Sequence, residues 1–299
     1  MLDAGTTNLS EAPNVALTSR LALTGAVLML CLIGVSAYLR LSAAGLGCEP
    51  WPDCFAQAAS PEAQHHPIAR LMHRILASAV GLVVLLVVFA SFGRRSQRPA
   101  PFRISLATLA LTAALAVLGR VTPAAAGALV GSGNLLGGLA LLALLTWIAV
   151  DAPDAISDDR SASVRRFQLL SYAALALTVI QVVLGALLST THAAAACAGL
   201  IDCAAALPAA SLHMLHRVLA VVLLAVDAAI CVALLRRGRF SQILAAALVA
   251  APLIQIGIGV GMLTSQFPLW LALSHNLVAA LLIATAVAAA RRMTSPDSS

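Results

Sequence analysis

Three histidines stand where an apolar sequence has no packing use for them. His73, His216 and His275 each fall in the first turns of a stretch long and apolar enough to cross a bilayer. A neutral imidazole in hydrocarbon must still place one donor and one acceptor, so a ring buried there is costly unless something uses it. Haem iron is the strongest candidate, because imidazole is a common axial ligand and an apolar helix bundle can enclose the macrocycle. Interhelical hydrogen bonding and generic metal binding are the alternatives. His216 and His275 come from different helices at matching depth, which permits coordination by both. His213, three residues before His216, shares its helix face. Arg74 and Arg217 directly follow two of the histidines, where they suit haem propionates or lipid phosphates.

The elements that position these residues are apolar spans. Hydrophobic residues make up 61% of the chain and charged residues only 10%, well below the roughly 25% charge of a soluble domain. The chain therefore reads as an all-α integral membrane protein. Spans fall near 20–41, 67–92, 102–122, 128–150, 168–190, 210–235, 241–263 and 269–290, and each crosses roughly 30 Å of hydrocarbon as a helix. They are continuously apolar, which excludes a transmembrane β-barrel. The 18 basic residues are all arginine and cluster in short loops, so the charge of +6 speaks to orientation and membrane lipid, and to no nucleic acid.

Arg94, Arg95, Arg98 and Arg103, then Arg160, Arg165 and Arg166, then Arg236, Arg237 and Arg239, then Arg291 and Arg292 all fall on one side of an even count of spans. The positive-inside rule places that side and both termini in the cytoplasm of a bacterial inner-membrane protein. Arg40 and Arg120, at the opposite ends of their spans, dissent.

The chain also repeats. The word Leu71-Met72-His73-Arg74-Ile75-Leu76-Ala77 returns as Met214-Leu215-His216-Arg217-Val218-Leu219-Ala220. Cys48 and Cys54 enclose five residues ahead of the first copy, and Cys197 and Cys203 do so ahead of the second. Two tandem four-helix bundles follow, related by a pseudo-twofold axis along the membrane normal. The first covers 20–150 after a cytoplasmic tail of 1–19. A linker at 151–167 leads to the second at 168–290, and 291–299 is a cytoplasmic tail. Four of the six cysteines then lie in an oxidising compartment, where two disulfides are expected; redox-active thiols are the alternative, and C-x5-C is not the close spacing of zinc ligands. Cys31 and Cys231 are apolar fillers within spans.

The repeat is imperfect. Ser274-His275-Asn276-Leu277 aligns with Ser132-Gly133-Asn134-Leu135, so Gly133 or Asn134 stands where a second first-half imidazole would be, and no histidine occurs between 74 and 191. The sixth iron position at His73 would then be open, weakly occupied, or filled from the loop by His65 or His66.

Arg40-Leu41-Ser42-Ala43-Ala44-Gly45-Leu46-Gly47-Cys48, Pro50-Trp51-Pro52-Asp53-Cys54, Leu71-Met72-His73-Arg74, Gly133-Asn134-Leu135-Leu136-Gly137-Gly138, Gln181-Val182-Val183-Leu184-Gly185-Ala186, Leu215-His216-Arg217 and His275 together resemble the heme A synthase family, over about residues 20–290. The resemblance implies an enzyme that oxidises one methyl of haem O to the formyl of haem A for terminal oxidases. It implies that His216 and His275 hold a resident haem b in the C-terminal half, that His73 is an axial ligand and catalytic residue at the substrate-haem site in the N-terminal half, and that the cysteine pairs are disulfides. Partners implied are haem O synthase, oxidase assembly components and a quinol or other membrane electron donor. Two places depart from the family pattern: Arg70 replaces a glutamate three residues before His73, and Asn134 replaces the span-four histidine. The nearest carboxylate is Glu62, in the loop. These departures favour, as the alternative, a non-catalytic haem-binding or haem-transfer assembly factor. A b-type electron-transfer cytochrome would require a second complete histidine pair. A transporter would show buried carboxylates, and Asp227 is the one acidic residue well inside a span.

Overall fold

The computed structural model describes residues 11–43, 67–93, 95–96, 99–121, 128–150, 162–190, 197, 199, 203, 209–235 and 239–293. Among them are eight α-helices, each with a stretch long and apolar enough to cross a membrane. They are α1 (Glu11–Ala43), α2 (Pro67–Phe92), α3 (Pro99–Val121), α4 (Ala128–Ala149), α5 (Ala162–Thr190), α6 (Ala209–Leu234), α7 (Arg239–Thr264) and α8 (Leu269–Met293). The helix count matches the apolar spans, but the ends do not. Helix α1 begins at Glu11, inside the expected tail, and α5 begins at Ala162, inside the expected linker. Hydrophobicity marks where hydrocarbon starts, whereas backbone hydrogen bonding carries a helix on into the polar interface.

Helix α1 packs on α2 and α4, and α3 packs on α2 and α4; α5 packs on α6 and α8, and α7 packs on α6 and α8. Three further interfaces, α1 with α8, α4 with α8 and α4 with α5, join these groups. Helix α8 therefore touches four neighbours. Its lower half is rich in alanine, with Ala280, Ala286, Ala288, Ala289 and Ala290 all buried. Small side chains let helix backbones approach closely, which is the main source of packing energy where lipid is as apolar as the core.

One apolar cluster joins Met29, Ile33, Val80, Val84, Leu142 and Leu145 to Ala280 of α8. A second joins Ala174, Ile230, Leu234, Leu244 and Leu248 to Ala288 and Ala289, again of α8. Outward-facing Phe89, Leu82, Val221 and Ile243 are exposed, as lipid contact requires. At the arginine-bearing end, the Arg291 guanidinium lies 5.2 Å from the centre of the Trp147 ring, a cation–π contact between α8 and α4.

The α7–α8 turn is closely specified. Phe267 N–H donates to the Met262 carbonyl at 2.9 Å and Ser265 N–H to that of Gly261 at 3.0 Å, closing α7 in the manner of a Schellman cap. Gln266 and Phe267 have φ of 58° and 56°, a conformation that costs a non-glycine residue on the order of 1–2 kcal/mol. Burial of the Phe267 ring offsets this, and Pro268 then starts the return. The short turn fixes the register of α8 on α7, which matters for the residues both helices carry.

Truncating Leu142, which is fully buried, to alanine should destabilise the protein by about 2–5 kcal/mol. Phe89→Ala, on a side chain 73% exposed, should cost well under half of that. Thermal unfolding in a single detergent compares the two; equal losses would mean that the interior assigned to Leu142 is wrong.

Candidate functional site

His73, Asn134 and His275 each stand six residues after the first residue of α2, α4 and α8, and His216 stands seven after that of α6. At about 1.5 Å per residue each lies about 10 Å along its helix. What surrounds each of the three imidazoles foreseen in the sequence differs.

His216 faces α5. Gln181 Nε2 donates to the His216 backbone carbonyl at 2.9 Å and lies 3.5 Å from His216 Nε2. One turn further along the same face, a Cβ on Gly185 would come within 3.3 Å of His216 Cε1. His275 faces α7 in the same way. Gln255 Nε2 donates to the His275 carbonyl at 3.1 Å, and a Cβ on Gly259 would lie 3.6 Å from His275 Cε1. Each histidine-bearing helix therefore meets a neighbour that offers glutamine and, four residues later, glycine. The spacing places both on one helical face: the amide pins the backbone and the missing side chain makes room for the ring.

The polar accounting at this site is incomplete. His216 Nδ1, His275 Nδ1, Gln181 Oε1 and Gln255 Oε1 are all buried without a hydrogen-bond partner. Each such atom costs on the order of 1–3 kcal/mol, so leaving four of them together is expensive. Among the described residues no three His, Cys, Asp or Glu side chains converge as a set of metal ligands, so the arrangement here is a pair of imidazoles. Two rings from facing helices, each cleared by a glycine and each with an unsatisfied buried nitrogen, fit the axial ligation of a porphyrin iron, which asks the protein for two ligands and an apolar enclosure. His213, one turn from His216, is also buried.

Around His73 the arrangement differs. Its ring is half-buried, Arg74 and Arg70 are exposed, and Asn134 is half-buried. Leucines of α3 occupy the volume facing α4: a Cβ on Gly133 would meet Leu118 Cδ2 at 3.3 Å, and Leu115 packs on the bare backbone of Gly137 more closely still. The α3–α4 interface is closed by leucine on glycine, where α7–α8 is spaced by an imidazole.

Arg217 points to the loop. Its guanidinium donates to the carbonyls of Gly199 at 2.7 Å and Cys197 at 3.3 Å. Cys197 and Cys203 form a disulfide, with Cα atoms 4.5 Å apart, as expected for the second pair. The arginine thereby fastens that loop to the first turns of α6. Cys31 and Cys231 are free thiols. Cys48, Cys54, Glu62, His65 and His66 lie outside the described residues.

Arg40 is the residue whose role the sequence concealed. Its guanidinium donates to Ser189 Oγ of α5 and to Asn276 Oδ1 of α8, both at 2.7 Å. A charge that reads as a topological dissenter is a three-helix tie, seated one residue from His275. Gln255 and Gly259 were also missed, although Gln181 and Gly185 belong to the motif that carries the resemblance. Their own recurrence as Gln-x-x-x-Gly on α7 was the available signal.

These features define a polytopic helical membrane protein with a paired-imidazole interior near one membrane surface. A family model described as cytochrome oxidase assembly protein, COX15-CtaA, matches residues 19–287, and the chain belongs to that family. It is similar to a protein of Shewanella oneidensis named heme A synthase, with 27% identity over 309 aligned residues that cover 87% of this chain and 92% of the relative.

Replacing Arg40 by leucine should cost on the order of 2–4 kcal/mol, since two charge-assisted bonds are lost and the acceptors remain. Arg40→Lys should recover less than half, because a single ammonium cannot span two acceptors as a planar fork does. Thermal unfolding of the three proteins decides; a lysine variant as stable as the parent would show that the fork geometry is irrelevant.

Proposed function

We propose that this protein converts haem O to haem A for terminal oxidase assembly, with a resident haem b held by His216 and His275 in the C-terminal half and the substrate haem bound at His73 in the N-terminal half. The observation that carries the reading is the matched pair of imidazoles, each seated on glycine and each with a buried nitrogen that lacks a partner. Family membership and the whole-length likeness to a heme A synthase support the same conclusion. The helix neighbours support a tandem plan: contacts of α1, α2, α3 and α4 among themselves recur among α5, α6, α7 and α8, and the α1–α8 and α4–α5 interfaces correspond across α4–α8. On this plan the axis runs along the membrane normal beside α4 and α8. Residues 20–150 and 168–290 are the halves, and the arginine loops and both termini face the cytoplasm of an inner-membrane protein.

Haem bound between His216 and His275 supplies an iron that can take up or give up one electron. The chain contributes placement. His216 on α6 and His275 on α8 would hold the haem, Gln181 and Gln255 hold the backbone of each histidine, and the apolar interior would exclude water. The Arg217 bonds to the Cys197–Cys203 loop close that end of the site. His73 would hold the substrate haem in the other half and serve as the catalytic residue there. Arg74, exposed on the same turn, suits a propionate or a lipid phosphate. Cys48 and Cys54 are read as the equivalent disulfide of the first loop. Haem O synthase would supply the substrate, and a quinol or another membrane donor would exchange electrons with the resident site.

A second reading, a haem-binding or haem-transfer factor without catalysis, is favoured by one observation. The α3–α4 interface is filled by Leu115 and Leu118 against Gly137 and Gly133, and Arg70 stands in place of the family's glutamate, so the first half offers one imidazole and no adjacent carboxylate.

Purified protein should show a low-spin haem b spectrum that His216→Ala and His275→Ala each abolish, while His73→Ala keeps it. A spectrum that survives both of the first two substitutions rejects the ligand assignment. Expressed in a host that makes haem O but lacks a converting enzyme, the full chain should yield haem A in chromatographed extracts. Haem-loaded protein with haem O alone would select the second reading.

A further inference from the structure

The Gln-x-x-x-Gly pattern recurs on α5 and α7 and is missing from both corresponding helices of the first half. The cysteine pairs align Gln181 with Leu32 and Gly185 with Ser36. The register that pairs His275 with Gly133 also pairs Gly261 and Thr264 with Gly119 and Thr122, and it aligns Gln255 with Ala113 and Gly259 with Val117. Leu32 is buried in the apolar core, while Ala113 and Val117 are exposed on the outside of α3. Helix α3 thus turns leucines toward α4 where α7 turns a glutamine and a glycine toward α8.

A helical carbonyl has two lone pairs, and the intrahelical ladder uses one. A glutamine on the neighbouring helix can bond the second without disturbing the helix. The carbonyls chosen are those of His216 and His275 themselves, among all the residues of α6 and α8 that face these neighbours. The same amides leave Oε1 buried and unpaired next to helices whose imidazoles have Nδ1 buried and unpaired. When a ring nitrogen binds iron, the groups that hold the ligand in place set its orientation and basicity, and each glutamine does so through the backbone carbonyl of one histidine.

We propose that Gln181 and Gln255 are paired positioning residues of the imidazole site, each locking one axial histidine in place across a helix interface, so that the second half retains its haem while the first half, lacking both, exchanges its own. The inference rests on the haem reading of His216 and His275. It adds a division of labour between the halves that the ligands alone do not give: a locked site for a permanent group and an unlocked one for a haem that must enter and leave.

The test uses the full-length, haem-loaded protein. Gln181→Met and Gln255→Met keep side-chain length and remove the donor, and Thr178→Val, whose hydroxyl bonds only the Ala174 carbonyl of its own helix, is the control. Two readouts are taken: the low-spin electron paramagnetic resonance g-values, which report ring orientation, and the rate of haem loss to excess apomyoglobin. Each methionine variant should bind haem with shifted g-values and lose it roughly tenfold faster than the parent, and the double variant on the order of a hundredfold faster. Thr178→Val should match the parent. If a methionine variant fails to fold, Gln181→Asn and Gln255→Asn, one methylene too short to reach, take its place with the same expectation. Parental g-values and loss rates in both single variants would overturn the positioning role while leaving the haem site intact. A His216→Ala protein that holds haem as tightly as the parent would sink the underlying site instead.

Discussion

An imidazole inside an apolar bundle is tolerated only if its nitrogens are used, and this constraint organises the structure more than any apolar contact does. Aliphatic packing can be satisfied by many helix arrangements, since the lipid outside is as apolar as the interior. Two rings that share a common partner, as proposed for His216 and His275, would allow few. They would require α6 and α8 to present the same level to each other, and neighbours thin enough at that level to leave the rings room. Gly185 and Gly259 supply the thinness, and Gln181 and Gln255 supply the level. The unsatisfied Nδ1 and Oε1 atoms that remain are the cost of seating two imidazoles and two amides in an apolar interior.

Helix α8 is where this local requirement becomes a global one. It carries His275 at one end and a run of small buried residues at the other, and it touches α1, α4, α5 and α7. Any rotation of α8 that improved one interface would turn His275 away from the interior. Two polar ties oppose such rotation near the site, the Gln255 bond to His275 and the Arg40 bond to Asn276. They lie on successive residues and come from different helices, so together they fix azimuth as well as depth. The capped α7–α8 turn removes the remaining freedom to slide.

Length and apolarity alone revealed the eight helices, because nothing but a helix crosses hydrocarbon with a continuously apolar sequence. Helix ends were less legible: α1 and α5 run on into polar residues where hydropathy falls but hydrogen bonding does not. His216 and His275 stood out as expensive residues in cheap surroundings, and the Cys197–Cys203 pairing followed from spacing and compartment. Arg40 did not, because a lone arginine at a helix end is read through the orientation rule, and only tertiary structure shows that its fork meets two other helices. Gln255 was equally silent. One amide in an apolar run could serve any purpose, and its meaning depends on which carbonyl it faces.

The imperfect repeat in the sequence has a structural counterpart at the α3–α4 interface. Restoring a histidine at Gly133 would not by itself recreate the second site in the first half. Its Cβ would already press on Leu118, and the ring would enter a space that Leu115 and Leu118 fill from α3. Helix α3 would have to turn, moving Val117 from lipid toward the interior and Leu118 out of it. In the register that pairs Gly133 with His275, the missing imidazole and the closed space are therefore one structural fact, with the leucines standing where a ring would otherwise leave buried polar atoms unmatched. On the haem reading proposed above, a half built this way would offer a macrocycle one imidazole and an apolar surface, which suits a haem that arrives and departs better than one that stays.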